Sequence, residues 1–569
     1  MIEMNNVTVA EAYLELLSLR GIDCFFANAG TDFASLVEAF AIRQEQGKER
    51  PRPLTIPHEI PLVSMAHGYY LATGRPQVAM VHTGIGTANG LGPIMGAQRG
   101  RVPILYSAGR TPITEEGSPA SRARFIHWGQ ESFDQAAMVR EYVKWDYELR
   151  TPSQLETVVD RALAMAMSEP KGPVYLTLPR EVLAEPIKKV SFRPQHRYDL
   201  PTFHPDPEKV REAADLLAKA KFPIIITSSV GRSPGAVREM INLAEAGAIG
   251  VISPFPDHMN FPPDHPCHQG FMPEPLIAEA DVILVVDCDV PWHPNQLKPK
   301  DSTVIIQAGI DPFFSSYPIR SFPSDLTLQG DPIHVLPEIT RCLKGDPKRD
   351  QKGIDLRMGA LKKSHDGMVK GWKESASKSA KESPLDFQWV SHQVSQFLGE
   401  DTVVIEEALG SGISHWANLP GSYFFSSHMG YLGWCLGAAL GIKLGSPEKT
   451  VIATVGDGAY MFGVPSACHF VSNAYQIPIL IVIYNNQSYY AVKRATQSLH
   501  PDGRAVGNNL FPLSDLQPTA NFEKICEAFG GYGERVESPD EVGPALKRGL
   551  HAVKIEKRQA VLNMICKKP

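Results

Sequence analysis

The chain has no run of about eighteen uninterrupted apolar residues, so no part of it reads as a membrane-spanning helix. It has no surplus of positive charge. Its 56 Lys and Arg stand against 62 Asp and Glu, a formal charge of −6, which gives no basic patch of the kind nucleic acid requires. Its eight cysteines (Cys24, Cys267, Cys288, Cys342, Cys435, Cys468, Cys526 and Cys566) form no Cys-x-x-Cys pair. That argues against a zinc site or a disulfide framework and for buried thiols in a reducing compartment. The opening segment "MIEMNNVTVAEAYLELL" lacks a charged-then-apolar leader and reads directly as a helix-like pattern, so a cytoplasmic location is expected. The first strand is followed by "ANAGTDF" and not by the Gly-x-Gly-x-x-Gly turn of nicotinamide dehydrogenases.

The composition present is that of a soluble globular protein, 43% hydrophobic and 21% charged, and 569 residues are too many for one core. Three domains of ordinary size are expected. Up to about residue 190, short apolar runs ("DCFFANAG", "PQVAMVHTG", "VPILYSAGR", "GPVYLTLPREV") alternate with amphipathic helices such as "VTVAEAYLELLSLRGI". The rhythm repeats over about 200–343 with "PIIITS", "DVILVVDCDV" and "STVIIQAGI". It repeats again over 385–569 with "DTVVIEEALG", "KTVIATVGDG", "PILIVIYNN" and "QAVLNMI". Such alternation predicts α/β units, each a mostly parallel sheet flanked by helices. The first and last units look alike. Between Lys344 and Lys381, eleven Lys or Arg against five Asp or Glu, with few strand formers, predict a solvated linker with one surface helix over 344–384.

Two motifs carry chemistry. In "TVGDGAYMFGVPSACHFVSNAYQIPILIVIYNNQSYY" a strand ending at Val455 places Asp457 at the carboxyl edge of a parallel sheet, where such folds bind ligands. Gly456 and Gly458 allow a tight turn and close approach to a phosphate, and one following helix would aim its N-terminus there. Asp457 supplies a carboxylate oxygen and Asn486, after the next strand, an amide oxygen; magnesium or calcium favours both. The second motif, "TIPHEIPLVSMAHGYYLATGRPQVAMVHTGIGTANGLG", presents a lone carboxylate, Glu59, at a helix start.

Together these motifs resemble the thiamine-diphosphate-dependent enzymes. The resemblance implies an aminopyrimidine-binding domain over 1–190, a middle domain over 200–343 and a diphosphate- and metal-binding domain over 385–569. It implies that Glu59 protonates the aminopyrimidine ring nitrogen of thiamine diphosphate, and that Asp457, Asn486 and the Ser488 carbonyl hold Mg2+, with Ca2+ as an alternative. Gly410, Ser411, Gly430, Leu432, Gly456, Gly458, Ala459 and Ser488 would line the cofactor, Leu432 as the wedge that bends it. A plain glycine-rich helix contact is the competing reading of "MGYLGWCLGAALG".

Within the family the pattern resembles the benzoylformate decarboxylases most. Thr31 stands where those enzymes carry a serine, and His82 and His293 stand at their two active-site histidines. His58 and His428 are further candidates around the cofactor. Ala491, Val492 and Ala495 are small where that pocket is bulkier, which implies a wider pocket and a 2-oxo acid other than benzoylformate. The function implied is decarboxylation of a 2-oxo acid to an aldehyde and CO2. The alternative is carboligation of the acetolactate synthase type, although the middle domain shows no convincing adenine-nucleotide signature and FAD is not expected. A homodimer or homotetramer with active sites between chains is implied, with no nucleic acid or membrane partner.

Overall fold

The computed structural model describes residues 1–195 and 198–568. Among the described residues three sheets of five or six strands carry the chain beside one two-stranded antiparallel sheet, and within each of the three every strand pair is parallel. The first runs in the order Arg52–Thr55, Cys24–Ala27, Val78–Val81, Leu105–Arg110, Val174–Pro179, Asp146–Glu148. The last runs Tyr423–Phe425, Thr402–Glu407, Thr450–Gly456, Leu480–Asn485, Ala560–Ile565, Tyr532–Val536. The two orders are the same permutation of chain order, so the likeness between first and last units is a likeness of topology. The middle sheet has five strands, ordered Gly250–Ile252, Pro223–Thr227, Val282–Val286, Val304–Gly309, Leu326–Gln329.

The central strands form because most of their residues are β-branched or aromatic and buried on both faces, as in Leu480–Asn485, all six of which are buried. The opening segment differs from the helix-like reading. Ile2–Thr8 is a strand, paired antiparallel with Pro186–Phe192, and the helix begins only at Val9. Thr8 and Glu11 form a capping box there, satisfying two of the free amides at the helix start. The polar stretch after Lys344 holds one helix of 29 residues, Gln351–Ser379. Arg357 on it binds the carbonyl of Gly247 at 2.8 Å. Among the described residues no helix is long and apolar enough to cross a membrane.

First and last domains share one apolar core, in which Leu62, Met65 and Ala66 pack with Leu436, Ala439 and Leu440. Its centre is the crossing of two helices, Glu59–Thr73 and Trp434–Gly445. Each contributes a glycine that lies on the other's backbone. A Cβ on Gly68 would sit 2.0 Å from the Ala438 carbonyl oxygen, and one on Gly441 2.1 Å from that of Met65. The glycine-rich contact read from the sequence is therefore real, and it coexists with the loop that carries Leu432. Both helices link the second and third strands of their sheets, so equivalent elements meet at the crossing.

Candidate active site

In each outer sheet the chain order reverses between the first and third strands, and the crevice outside those carboxyl ends is where open α/β sheets bind ligands. In the first domain the crevice lies between Cys24–Ala27 and Val78–Val81. It receives Asn28, Thr31 and Asp32 from one strand end and His82 from the other.

Glu59 is buried at the first position of its helix. His58 caps that helix, its Nδ1 accepting the Ile60 amide at 3.1 Å. Asn28 donates to Glu59 Oε1 at 2.9 Å and Asn89 to Oε2 at 3.3 Å, so two amides fix the carboxylate plane. His82 stands just before the helix Thr83–Asn89, and its Nδ1 lies 2.5 Å from Asp32 Oδ1. The Asp32 hydrogen bond raises the His82 pKa above its ordinary value against the opposing effect of partial burial, and the Glu59 charge adds to the rise. Two glycines make room for the pair: a Cβ on Gly30 would lie 2.0 Å from His82 Nδ1, and one on Gly109 1.8 Å from Asp32 Oδ2. Thr31 Oγ1 is 3.5 Å from Nε2 of His127, a buried histidine whose pKa burial and nearby arginines lower. Asp32, Asn28, Asn89 and His127 were not singled out in the sequence, though Asn28, Asp32 and Asn89 lie inside motifs it offered.

The second crevice lies between Thr402–Glu407 and Thr450–Gly456. It brings together Gly410 and Ser411 from one strand end and Gly456, Asp457, Gly458 and Ala459 from the other. The single helix expected after Asp457 is two: Asp457–Phe462, six residues, and Pro465–Tyr475. Val464 breaks it in the left-handed region at φ 52°, and Pro465 starts the second piece. So short a first helix contributes free amides and little dipole. Burial pushes the Asp457 pKa up to about 6, opposed by backbone N–H groups of Gly458, Gln487 and Ser488. Asn486 is buried, and its Oδ1 accepts the Ser488 amide at 3.0 Å. Ser488 Oγ is buried without a hydrogen-bond partner among the described residues. The Asp457 carboxylate and the Asn486 amide oxygen are donors of the kind a hard divalent cation takes.

Gly430 (φ +66°) and Leu432 lie on the loop before Trp434–Gly445, with Leu432 36% exposed. Ser411 is fully buried, with its hydroxyl on Glu406. Ala491, Val492 and Ala495 are exposed on the helix Tyr490–Leu499. Two histidines lie elsewhere. His428 is bound to Asp289 at 2.7 Å and to the Phe255 carbonyl at 2.7 Å. His293 is on a middle-domain loop, 3.8 Å from Glu274 and edge-on to Phe255. Among the described residues no hydrogen bond or ring contact joins His293 to His82 within one chain.

Three family profiles match in order: the thiamine pyrophosphate enzyme N-terminal TPP binding domain over residues 7–138, the central domain over 210–339, and the C-terminal TPP binding domain over 410–563. The chain belongs to the thiamine pyrophosphate enzymes. A relative within that family is the benzoylformate decarboxylase of Pseudomonas aeruginosa, 25% identical over 96% of this chain and 97% of that protein. A probable acetolactate synthase large subunit of Methanocaldococcus jannaschii is 23% identical over 95% of this chain and 89% of that protein. Among solved structures, benzoylformate decarboxylase from Polynucleobacter necessarius superposes with a TM-score of 0.78 at 22% identity, covering 99% of both chains. As a thiamine pyrophosphate enzyme, the chain carries its two TPP binding domains on the two sheets with matching strand order.

Proposed function

We propose that this chain decarboxylates a 2-oxo acid to an aldehyde and CO2 with thiamine diphosphate and a divalent metal. The observation that carries the reading is the pair of groups at the first crevice. A buried carboxylate fixed by two amides stands beside a histidine whose basicity a second carboxylate raises. Asp457, Asn486 and the Ser488 carbonyl would hold Mg2+, and Gly410, Ser411, Gly430, Leu432, Gly456, Gly458 and Ala459 would line the cofactor. When bound, that cofactor supplies a nucleophilic carbon able to take up electrons left by departing CO2.

The chain's own residues supply the rest. Glu59 holds a proton on the aminopyrimidine ring nitrogen, with Asn28 and Asn89 keeping its plane. His82, with Asp32 on Nδ1, presents Nε2 to give or take a proton at the reacting carbon or oxygen. Thr31 offers a hydroxyl at the same strand end to orient the substrate carboxylate. His293 would join from a second copy of the chain, which makes the working form a homodimer or a homotetramer. The exposed Ala491, Val492 and Ala495 leave space for a side chain unlike that of benzoylformate.

Carboligation of the acetolactate synthase type is the second reading, favoured by full-length similarity to a protein of that name. The deciding experiment supplies the protein with thiamine diphosphate, Mg2+ and a panel of aromatic and aliphatic 2-oxo acids. Aldehyde with equimolar CO2 supports decarboxylation, and a coupled hydroxyketone as main product refutes it. Glu59→Gln should abolish turnover while cofactor binding persists; a variant with full turnover removes Glu59 from the chemistry.

A further inference from the structure

Two buried acids next to the second crevice have no part in the reaction just outlined. Glu406 and Glu407 end the strand Thr402–Glu407, 3% and 7% exposed. Adjacent strand residues point to opposite faces, so the two carboxyls leave the sheet in opposite directions. Glu406 accepts the hydroxyls of Ser411 and, at 2.5 Å, of Tyr423. Ser411 in turn accepts the Ile413 amide at 3.2 Å, which closes the turn after Gly410. On the other side Glu407 accepts the Gly433 amide on Oε1 at 2.6 Å and the Cys435 amide on Oε2 at 2.8 Å. It thereby caps the helix Trp434–Gly445 from a distant strand, since no side chain of the preceding loop does so.

Gly433 is tightly held on its far side as well. It sits at φ +88°, and a Cβ there would lie 2.9 Å from the backbone of Phe462 and Gly463, at the end of the Asp457 helix. The loop carrying Gly430 and Leu432 is thus clamped between Glu407 and that helix end. Burying two carboxyls costs free energy unless their oxygens are satisfied. Burial pushes Glu406 up to about 7 and Glu407 up to about 8, while the hydroxyl and amide donors pull the other way. An apolar strand end would avoid that cost but would leave both loops untethered.

We propose that Glu406 and Glu407 are positioning residues for the cofactor cleft, one fixing the Gly410–Gly412 turn and the other the Gly430–Gly433 loop, so that two neighbouring residues of one strand set the width between its walls. The inference rests on the reading that thiamine diphosphate binds between those loops. In Glu407→Gln one backbone N–H of Gly433 or Cys435 faces an amide donor in place of an oxygen.

The test is titration of Glu407→Gln full-length protein with thiamine diphosphate and Mg2+, measured by isothermal titration calorimetry. Hydrogen exchange of the Gly433 and Cys435 amides is measured in parallel, and cooperative melting of the unliganded variant confirms that it folds. The expected result is a Kd about tenfold higher or more, with faster exchange at the amide that loses its oxygen acceptor. A Kd within twofold of the unsubstituted protein overturns the inference whatever the exchange shows, because a merely structural cap would loosen the amides without moving affinity. Should Glu407→Gln fail to fold, Tyr423→Phe is titrated instead: a several-fold rise in Kd supports the role of Glu406, and an unchanged Kd overturns it. Failure of the unsubstituted protein to bind thiamine diphosphate would instead overturn the underlying reading of the site.

Discussion

Asp32→Asn isolates what the carboxylate does for His82, because the side chains are nearly the same size and only charge and acceptor capacity change. In the native arrangement Asp32 can only accept, so Nδ1 carries the proton and Nε2 is left free to act. The amide can present either its oxygen or its NH2 group and no longer fixes the tautomer. The ring and the carboxyl fill the space that Gly30 and Gly109 leave open, and Asn is nearly the size of Asp, so the substituted pair should keep its place. The 2.5 Å contact is a charge-assisted hydrogen bond, a class worth about 1.5–3 kcal/mol. If His82 is most strongly charged in the transition state, loss of that bond slows the proposed decarboxylation by about 10- to 150-fold. The direction of the pH effect also follows. Asp32 raises the His82 pKa, so His82 holds its proton to higher pH, and Asp32→Asn should move that limb of the profile of kcat/KM to lower pH. The assay is CO2 release across pH 5–9, about the range histidine titration spans, with cofactor affinity measured alongside. A rate within twofold of the unsubstituted enzyme and an unmoved limb would refute the dyad.

Two further outcomes concern the frame around the site. Gly441→Ala puts a methyl group 2.1 Å from the Met65 carbonyl oxygen, where backbone and not a flexible side chain must yield, so it should destabilise the protein by about 3 kcal/mol or more. Urea unfolding measures this, and a midpoint unchanged from the unsubstituted protein would contradict the crossing. His428 is the pH-sensitive tie between last and middle domains. Burial alone would lower its pKa, but Asp289 outweighs that and raises it to about 9. Its stabilisation is therefore full below about pH 6.5 and is lost as pH rises through about 9. Burial would raise Asp289, but His428 holds it at about 2, so its share is present above about pH 4 and is lost as pH falls towards 2. His428→Asn should cost about 1–3 kcal/mol near pH 6 and much less near pH 10. Thermal melts at both pH values check this, and an equal cost at each would refute it.

The elements legible in the sequence are those whose burial is two-sided. Strands such as Val282–Val286 and Leu480–Asn485 announce themselves as apolar runs because helices cover both faces. The strands not foreseen lie mostly at edges. Arg52–Thr55, Asp146–Glu148 and Tyr532–Val536 are short and partly exposed, and the first carries Pro53, so neither pattern nor propensity marks them. The long helix Gln351–Ser379 contains four glycines, at 353, 359, 367 and 371, and propensity alone would not carry it. Contacts from Trp372 to His415 and from Arg357 to the middle domain hold it instead.

The site divides along the same line. The proposed site residues Glu59, Asp457 and Asn486 stood out on local signals: Glu59 as a lone acid at a helix start, Asp457 between two glycines after a strand, and Asn486 just after a buried apolar strand. Asp32 did not, because its partner is fifty residues away and only the reversal of strand order at the crevice brings His82 to it. That reversal occurs identically in the first and last sheets, and the two crevices are joined by helices that cross through mutual glycines. The carboxylate proposed as catalytic heads one such helix and the loop proposed to hold the cofactor heads the other, both consequences of one duplicated topology. The chemistry differs because the strand ends differ. In the proposed function one crevice supplies Asn28, Asp32 and His82 for proton handling and the other Asp457 and Asn486 for a metal, with Glu406 and Glu407 holding the loops beside it.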